Sequence, residues 1–211
     1  MFIEFLDQLR CTQSHDDSWL VASFAEQHDR FIVRGTLGCP LCFRQYPIID
    51  GVAYFDVAPR SRASDTPAVG GPGAGDSEIA MRAAALLNAR ERSTLVLAGT
   101  WAPHAHAVTE LLPMRIFALN PSAPIDDSEL VAVLWAADAV PLTPASIDGV
   151  ALDANTADEA TVRAALHVLR PGGRLVAPVA VPLPAGVKEL ARDETVWVGE
   201  KDPSLVLLRR R

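Results

Sequence analysis

The chain has 211 residues, 49% hydrophobic, 21% charged and 6% aromatic, with a formal net charge of -7 and a pI near 5.2. That apolar content excludes a disordered chain, three cysteines exclude a disulfide scaffold, and the acidic balance argues against direct nucleic-acid binding, which needs a basic surface. The opening "MFIEFLDQLR" lacks the basic region of a signal peptide, and "LVAPVAVPLPAGV" is too short and proline-broken to span a bilayer, so a cytoplasmic protein without membrane contact is expected.

Nine of the thirteen aromatic residues fall before residue 58, which suggests two modules with different cores. Between them lies a Gly-, Pro-, Ala- and Ser-rich stretch without apolar periodicity, the signature of a flexible linker. The expected division is a module at 1–57, a linker at 58–77 and a second module at 78–211.

A module of about 57 residues is small enough to need a staple. "GCPLC" sets Cys39 and Cys42 at a spacing that lets both thiolates reach one tetrahedral ion. Upstream stands Cys11, in "RCTQSH". Ser14 occupies the place of a fourth cysteine, and serine is a poor zinc ligand because its hydroxyl is hard and resists deprotonation. His15, next to it, is the candidate fourth ligand for zinc. The alternative is a ribbon that holds together by its aromatics without metal.

The ending "YPIIDGVAYF", with Tyr46, Pro47, Ile48, Asp50 and Gly51, together with the leading "FLDQLRC", resembles the zinc-ribbon family of methyltransferase-activator proteins over residues 1–56. Asp50-Gly51 between apolar residues is also a hairpin turn signal in its own right. The resemblance implies an interaction module that docks on a methyltransferase and covers apolar surface.

From Asp76 the pattern alternates. "SEIAMRAAALLNARE", "HAHAVTELL" and "ADEATVRAALHVLR" read as helices; "TLVLAG", "RIFALN", "ELVAVLW", "DGVALD" and "GRLVAPVAV" read as strands. "KELARD", "TVWVG" and "SLVLLR" close the chain, and the last two strands are expected to pair antiparallel at the sheet edge. Short apolar strands alternating with helices predict a parallel sheet with helices on both faces. The stretches "ADAVPLTPASIDGVALD" and "AALHVLRPGGRLV" resemble the fourth- and fifth-strand region of class I S-adenosylmethionine-dependent methyltransferases.

That resemblance implies a cofactor site, and here the chain departs from it. Of the family's G-x-G-x-G only Gly99 stands; Trp101 and Pro103 replace the next two glycines, and no acid precedes Gly99. Asn120 stands where an acid would take the ribose hydroxyls, and Asp138 matches the acid beside the adenine. The cofactor residues implied are therefore Gly99, Asn120 and Asp138, with Trp101 expected to plug the cleft. Asp153 is read as a helix cap ahead of a catalytic base, His104 and His106 as solvent-facing ahead of a metal pair, and His167 as packed or partly exposed. Asp148 is read as structural, and Arg209–Arg211 as a solvated basic tail.

The sequence thus predicts an α/β chain: a zinc-ribbon-like β module joined to a Rossmann-like class I methyltransferase sheet. The expected function is a non-catalytic, methyltransferase-like interaction or scaffold subunit, whose residues 1–57 dock in cis or on a protein partner in trans. The competing readings are an active S-adenosylmethionine-dependent methyltransferase with an atypical cofactor loop, and a small-molecule or metal sensor that reuses the cleft.

Overall fold

Two turn residues start the first sheet segment. Asp50 and Gly51 both take positive φ (51° and 77°), the two-residue hairpin geometry whose twist matches the flanking strands. They join β3 (Gln45–Ile49) to β4 (Val52–Phe55), and with β1 (Val21–His28) and β2 (Phe31–Gly38) these form an antiparallel meander. The computed structural model describes residues 1–59 and 74–203.

The second module supplies β5 (Thr94–Ala98), β6 (Arg115–Leu119), β7 (Val131–Ala136), β8 (Ile147–Ala151), β9 (Leu169–Pro178), β10 (Val187–Arg192) and β11 (Val196–Lys201). Its helices are α1 (Ala74–Leu86), α2 (Ala105–Leu111) and α3 (Glu159–Val168). Strands β5 to β9 run parallel, as their continuous apolar sequences predict, because a sheet covered on both faces buries every side chain. β11 inserts antiparallel between β9 and β10. The edge hairpin is therefore β10 with β11; residues 204–209, "SLVLLR", and the basic tail at 209–211 lie outside the described residues.

The two modules share one sheet. β4 pairs in parallel with β7 (Ala53 with Leu134, Tyr54 with Trp135, Phe55 with Ala136), giving eleven strands in the order β1-β2-β3-β4-β7-β6-β5-β8-β9-β11-β10. The aromatic-rich front is not a separate core: Phe2, Phe5, Tyr46 and Phe55 pack in the same buried cluster as Phe117, Leu134 and Trp197. Local composition hid this, since it reports which residues are available and not what they pack against. Helix α1 also starts at Ala74, within the stretch expected to be linker.

Alternation along the strands sorts the two faces. Leu95 and Leu97 of β5 lie under α1 and α2, while Val96 and Ala98 join the cluster that holds α3. Residues between β6 and β7 form no helix, and the chain's own start covers that face instead. The 3-10 segment Ile3–Gln8 lays Phe5 edge-on against Phe117, ring centroids 5.0 Å apart. Glu4 bridges Arg30 of the turn before β2 and Arg115 at the start of β6. The sequence departs to β6 and β7 on one side of β5 and returns to β8 on the other. That reversal opens a crevice at the carboxyl ends of β5 and β8, where doubly wound sheets carry ligands.

Candidate functional site

Two sites emerge, one in each module. In the first, the knuckle between β2 and β3 folds back on itself: the Cys39 amide donates to the Arg44 carbonyl and the Phe43 amide to the Cys39 carbonyl. This places Cys39 and Cys42 beside the segment that follows the first 3-10 turn. The donor atoms of Cys11, His15, Cys39 and Cys42 all lie within 4.8 Å of one another. His15 Nε2 is 3.2 Å from Cys11 Sγ and 3.3 Å from Cys39 Sγ, and Cys11 Sγ is 3.6 Å from Cys42 Sγ. A tetrahedral ion with zinc–sulfur bonds of about 2.3 Å sets its ligands about 3.8 Å apart, so this group closes on a zinc-sized ion with small adjustment.

The donor chemistry fits as well. His15 Nδ1 lies 2.6 Å from the Asp16 carbonyl, which fixes the proton on Nδ1 and leaves Nε2 as the ligand. The same carbonyl holds the His15 pKa above its ordinary value. Burial pushes the Cys39 thiol up, but the amides of Cys42 and Leu41 and the neighbouring thiols outweigh it and bring it down to about 6. Burial pushes Cys11 up to about 11, against a hydrogen bond from Tyr46. Ser14 is exposed, and His15 does join the three thiols. Four protein ligands leave no open coordination position, so a zinc ion here would act as a structural crosslink.

The second site is the crevice, a cleft of about 350 Å³ lined among others by Gly99, Asn120, Trp135, Asp153, Thr156 and, from the first module, Val57. Gly99 has φ of +60°, and a Cβ there would meet the Asp153 carboxylate at 2.2–2.4 Å. Asp153 is buried and fills the space over Gly99. Its oxygens accept from the Thr100 amide (3.0 Å), the Asn155 amide (3.2 Å), the Thr156 amide (3.0 Å) and the Thr156 hydroxyl (2.7 Å).

Asn120 is at the cleft, but its side chain donates to the Ala136 carbonyl and accepts from the Ala136 amide, both at 2.9 Å, so the amide is committed to the backbone of β7. Asp138 is exposed and does not line the cleft. Trp101 does not line it either: its ring is buried in the core under α1 and α2, and its indole N–H donates to the Leu152 carbonyl. The expected plug is therefore corrected, because the 3-10 geometry of Gly99–His104 turns residue 101 inward and the Asp153 carboxylate takes the space instead.

Asp153 also caps its own turn and not the helix; the N-cap of α3 is Asp158, which accepts from the Thr161 amide. His104 pairs with Asp76 at 3.0 Å and His106 meets the Asp126 carbonyl, so these two do not converge on a metal. Asp148 accepts from the Thr94 amide and pairs with Arg170, a structural role, and His167 is exposed. The sequence reading missed Thr12, Tyr46, Asp56 and Val57 as site neighbours. The one signal for the Asp153 turn was "DANT", an acid two and three residues ahead of the amides it accepts from.

Sheet order, crevice and Cys/His knuckle together define a doubly wound α/β sheet carrying a small β module in which four Cys/His donor atoms converge. No family model matches the chain, and no curated protein matches it. Among solved structures, a complex between the Haloferax volcanii Trm112 methyltransferase activator and a methyltransferase is similar at 17% identity and a TM-score of 0.46, over 61% of this chain and 94% of that one. TrmN from Thermus thermophilus is similar at 18% identity and a TM-score of 0.45, over 59% of this chain and 48% of that one. A geranyl diphosphate methyltransferase with GPP and sinefungin gives 17% identity and a TM-score of 0.39, over 55% of this chain and 53% of that one. The chain thus matches about half the length of the last two. No helix among the described residues is long and apolar enough to cross a membrane.

Proposed function

We propose that this chain is a methyltransferase-like protein that no longer transfers methyl groups and works as an interaction or scaffold subunit. The observation that carries the reading is the state of the crevice: the Asp153 carboxylate fills the space over Gly99, and Asn120 spends its amide on Ala136. A ligand with an amino-acid tail would have to displace the carboxylate and break its hydrogen bonds, losing pairing for a buried charge. The ribbon module docks in cis through β4, so that strand has no free edge for another sheet. Contact in trans falls to what the ribbon leaves exposed, including Trp19 at 72% and Phe43 at 80% exposure.

Calorimetry of the purified full chain with S-adenosylmethionine and S-adenosylhomocysteine is the test. The expected result is no measurable heat; micromolar binding overturns the reading in favour of an active methyltransferase with an atypical loop. That second reading is favoured by one feature, the cleft's volume of about 350 Å³, which lies within the range of small-molecule sites. Within the first reading, zinc at Cys11, His15, Cys39 and Cys42 is the proposed structural ion.

A further inference from the structure

The cysteine set has an outer neighbour that neither motif reveals. Tyr46 is 1% exposed, and its ring packs on Phe55 of β4 with centroids 4.7 Å apart. Its hydroxyl lies 3.1 Å from Cys11 Sγ, 2.9 Å from the Thr12 hydroxyl and 3.3 Å from the Thr12 amide. Proton bookkeeping decides which way that hydroxyl points. The Thr12 hydroxyl donates to Asp56, a carboxylate anchored by Arg44, and the Thr12 amide donates to the Tyr46 oxygen. The single Tyr46 proton is then left with two acceptors, the neutral Thr12 oxygen and Cys11 sulfur. Once Cys11 is an ionised metal ligand it is the charged acceptor, and a charge-assisted hydrogen bond is roughly twice as strong as a neutral one.

We propose that Tyr46 is a positioning residue for the metal ligand Cys11, its hydroxyl donating to the thiolate and holding it at the cluster, with the Thr12–Asp56–Arg44 chain keeping that hydroxyl free to do so. Through Phe55 and the pairing of β4 with β7, the same side chain ties the cluster to the sheet it docks on. The proposal rests on the zinc reading given above, and the experiment separates the two. Outer hydrogen bonds to metal ligands are worth about 10–100-fold in metal affinity.

The full chain and its Tyr46→Phe variant are compared by zinc competition against a chromophoric chelator and by the absorption of the cobalt(II)-loaded forms. Tyr46→Phe keeps the ring on Phe55 but takes its acceptor from the Thr12 amide, so the metal-free variant should unfold in one transition at a modestly lower urea midpoint. Zinc affinity should fall by about 10–100-fold, and the thiolate-to-cobalt band should move to longer wavelength, because a thiolate without its hydrogen bond is the easier electron donor. Equal affinity and an unmoved band overturn the proposal and leave the metal site standing. A parent chain that binds neither ion overturns the metal reading and the proposal with it. If Tyr46→Phe does not fold, global replacement of the two tyrosines by 3-fluorotyrosine serves, since the other tyrosine, Tyr54, packs in the core on the opposite face of the sheet. Its stronger donor should shift the band to shorter wavelength, and an unmoved band again overturns the proposal.

Discussion

The Cys/His cluster and the Gly99 cleft treat their polar side chains in opposite ways. At the cluster, four side chains turn their donor atoms toward one another, and a carbonyl and a hydroxyl outside the set orient two of them. At the cleft, the carboxylate and the carboxamide best placed to hold a ligand are bonded to amides, a hydroxyl and a carbonyl of their own chain. Buried polar groups must find partners, and a site that keeps its partners internal is stable without a ligand. Position in a fold does not make a site; lone pairs and donors left for a ligand do.

The largest expected effect concerns whether the two sites stand on one structure. Phe5→Ala removes a fully buried ring that packs on Phe117 and should cost about 3–5 kcal/mol in urea unfolding. Fluorescence and circular dichroism should report a single shifted transition; two transitions, one unmoved, would show that the ribbon and the sheet fold independently. Next in size is the metal. A ligand at a hundred times its Kd stabilises the folded state by about 2.7 kcal/mol, so chelation of the zinc-loaded chain should lower Tm, and an unchanged Tm sinks the zinc reading.

Asp153→Ala leaves the Thr100 and Thr156 amides without their acceptor and should cost about 2 kcal/mol, measured by the same unfolding. No loss would mean that the carboxylate does not hold together the turn over Gly99. The smallest effect belongs to Asp158→Ala, about 1 kcal/mol at neutral pH, for loss of the α3 cap. Burial pushes the Asp158 carboxyl up, but the Thr161 amide and hydroxyl outweigh it and hold it below the ordinary range. A depressed carboxylate stabilises the fold above its unfolded pKa of about 4 and loses that contribution as pH falls through the folded value. The penalty of the variant should therefore shrink in acid; a pH-independent penalty would refute the cap as its cause.

Much of the fold was legible because it is written in short-range pattern. The continuous apolar runs gave the parallel strands, and "DG" gave the β3–β4 turn. The cysteine spacing with His15 gave the four-ligand cluster. What was not legible depends on where side chains go after the chain folds. Trp101 reads as a plug from its place in a glycine motif, yet the 3-10 turn sends it into the core. Asn120 and Asp138 stand at motif positions, yet one bonds β7 and the other faces solvent.

Sequence alone therefore determined the alternation of elements and the ligand types of the Cys/His set, since each is a property of residue identity and spacing. Tertiary structure decided that the two modules are one sheet and that the first segment roofs β6. It also decided that Asp153, and not Trp101, occupies the space over Gly99. Those outcomes depend on contacts between residues far apart in the chain, and on which buried groups find hydrogen-bond partners there, neither of which any local window encodes.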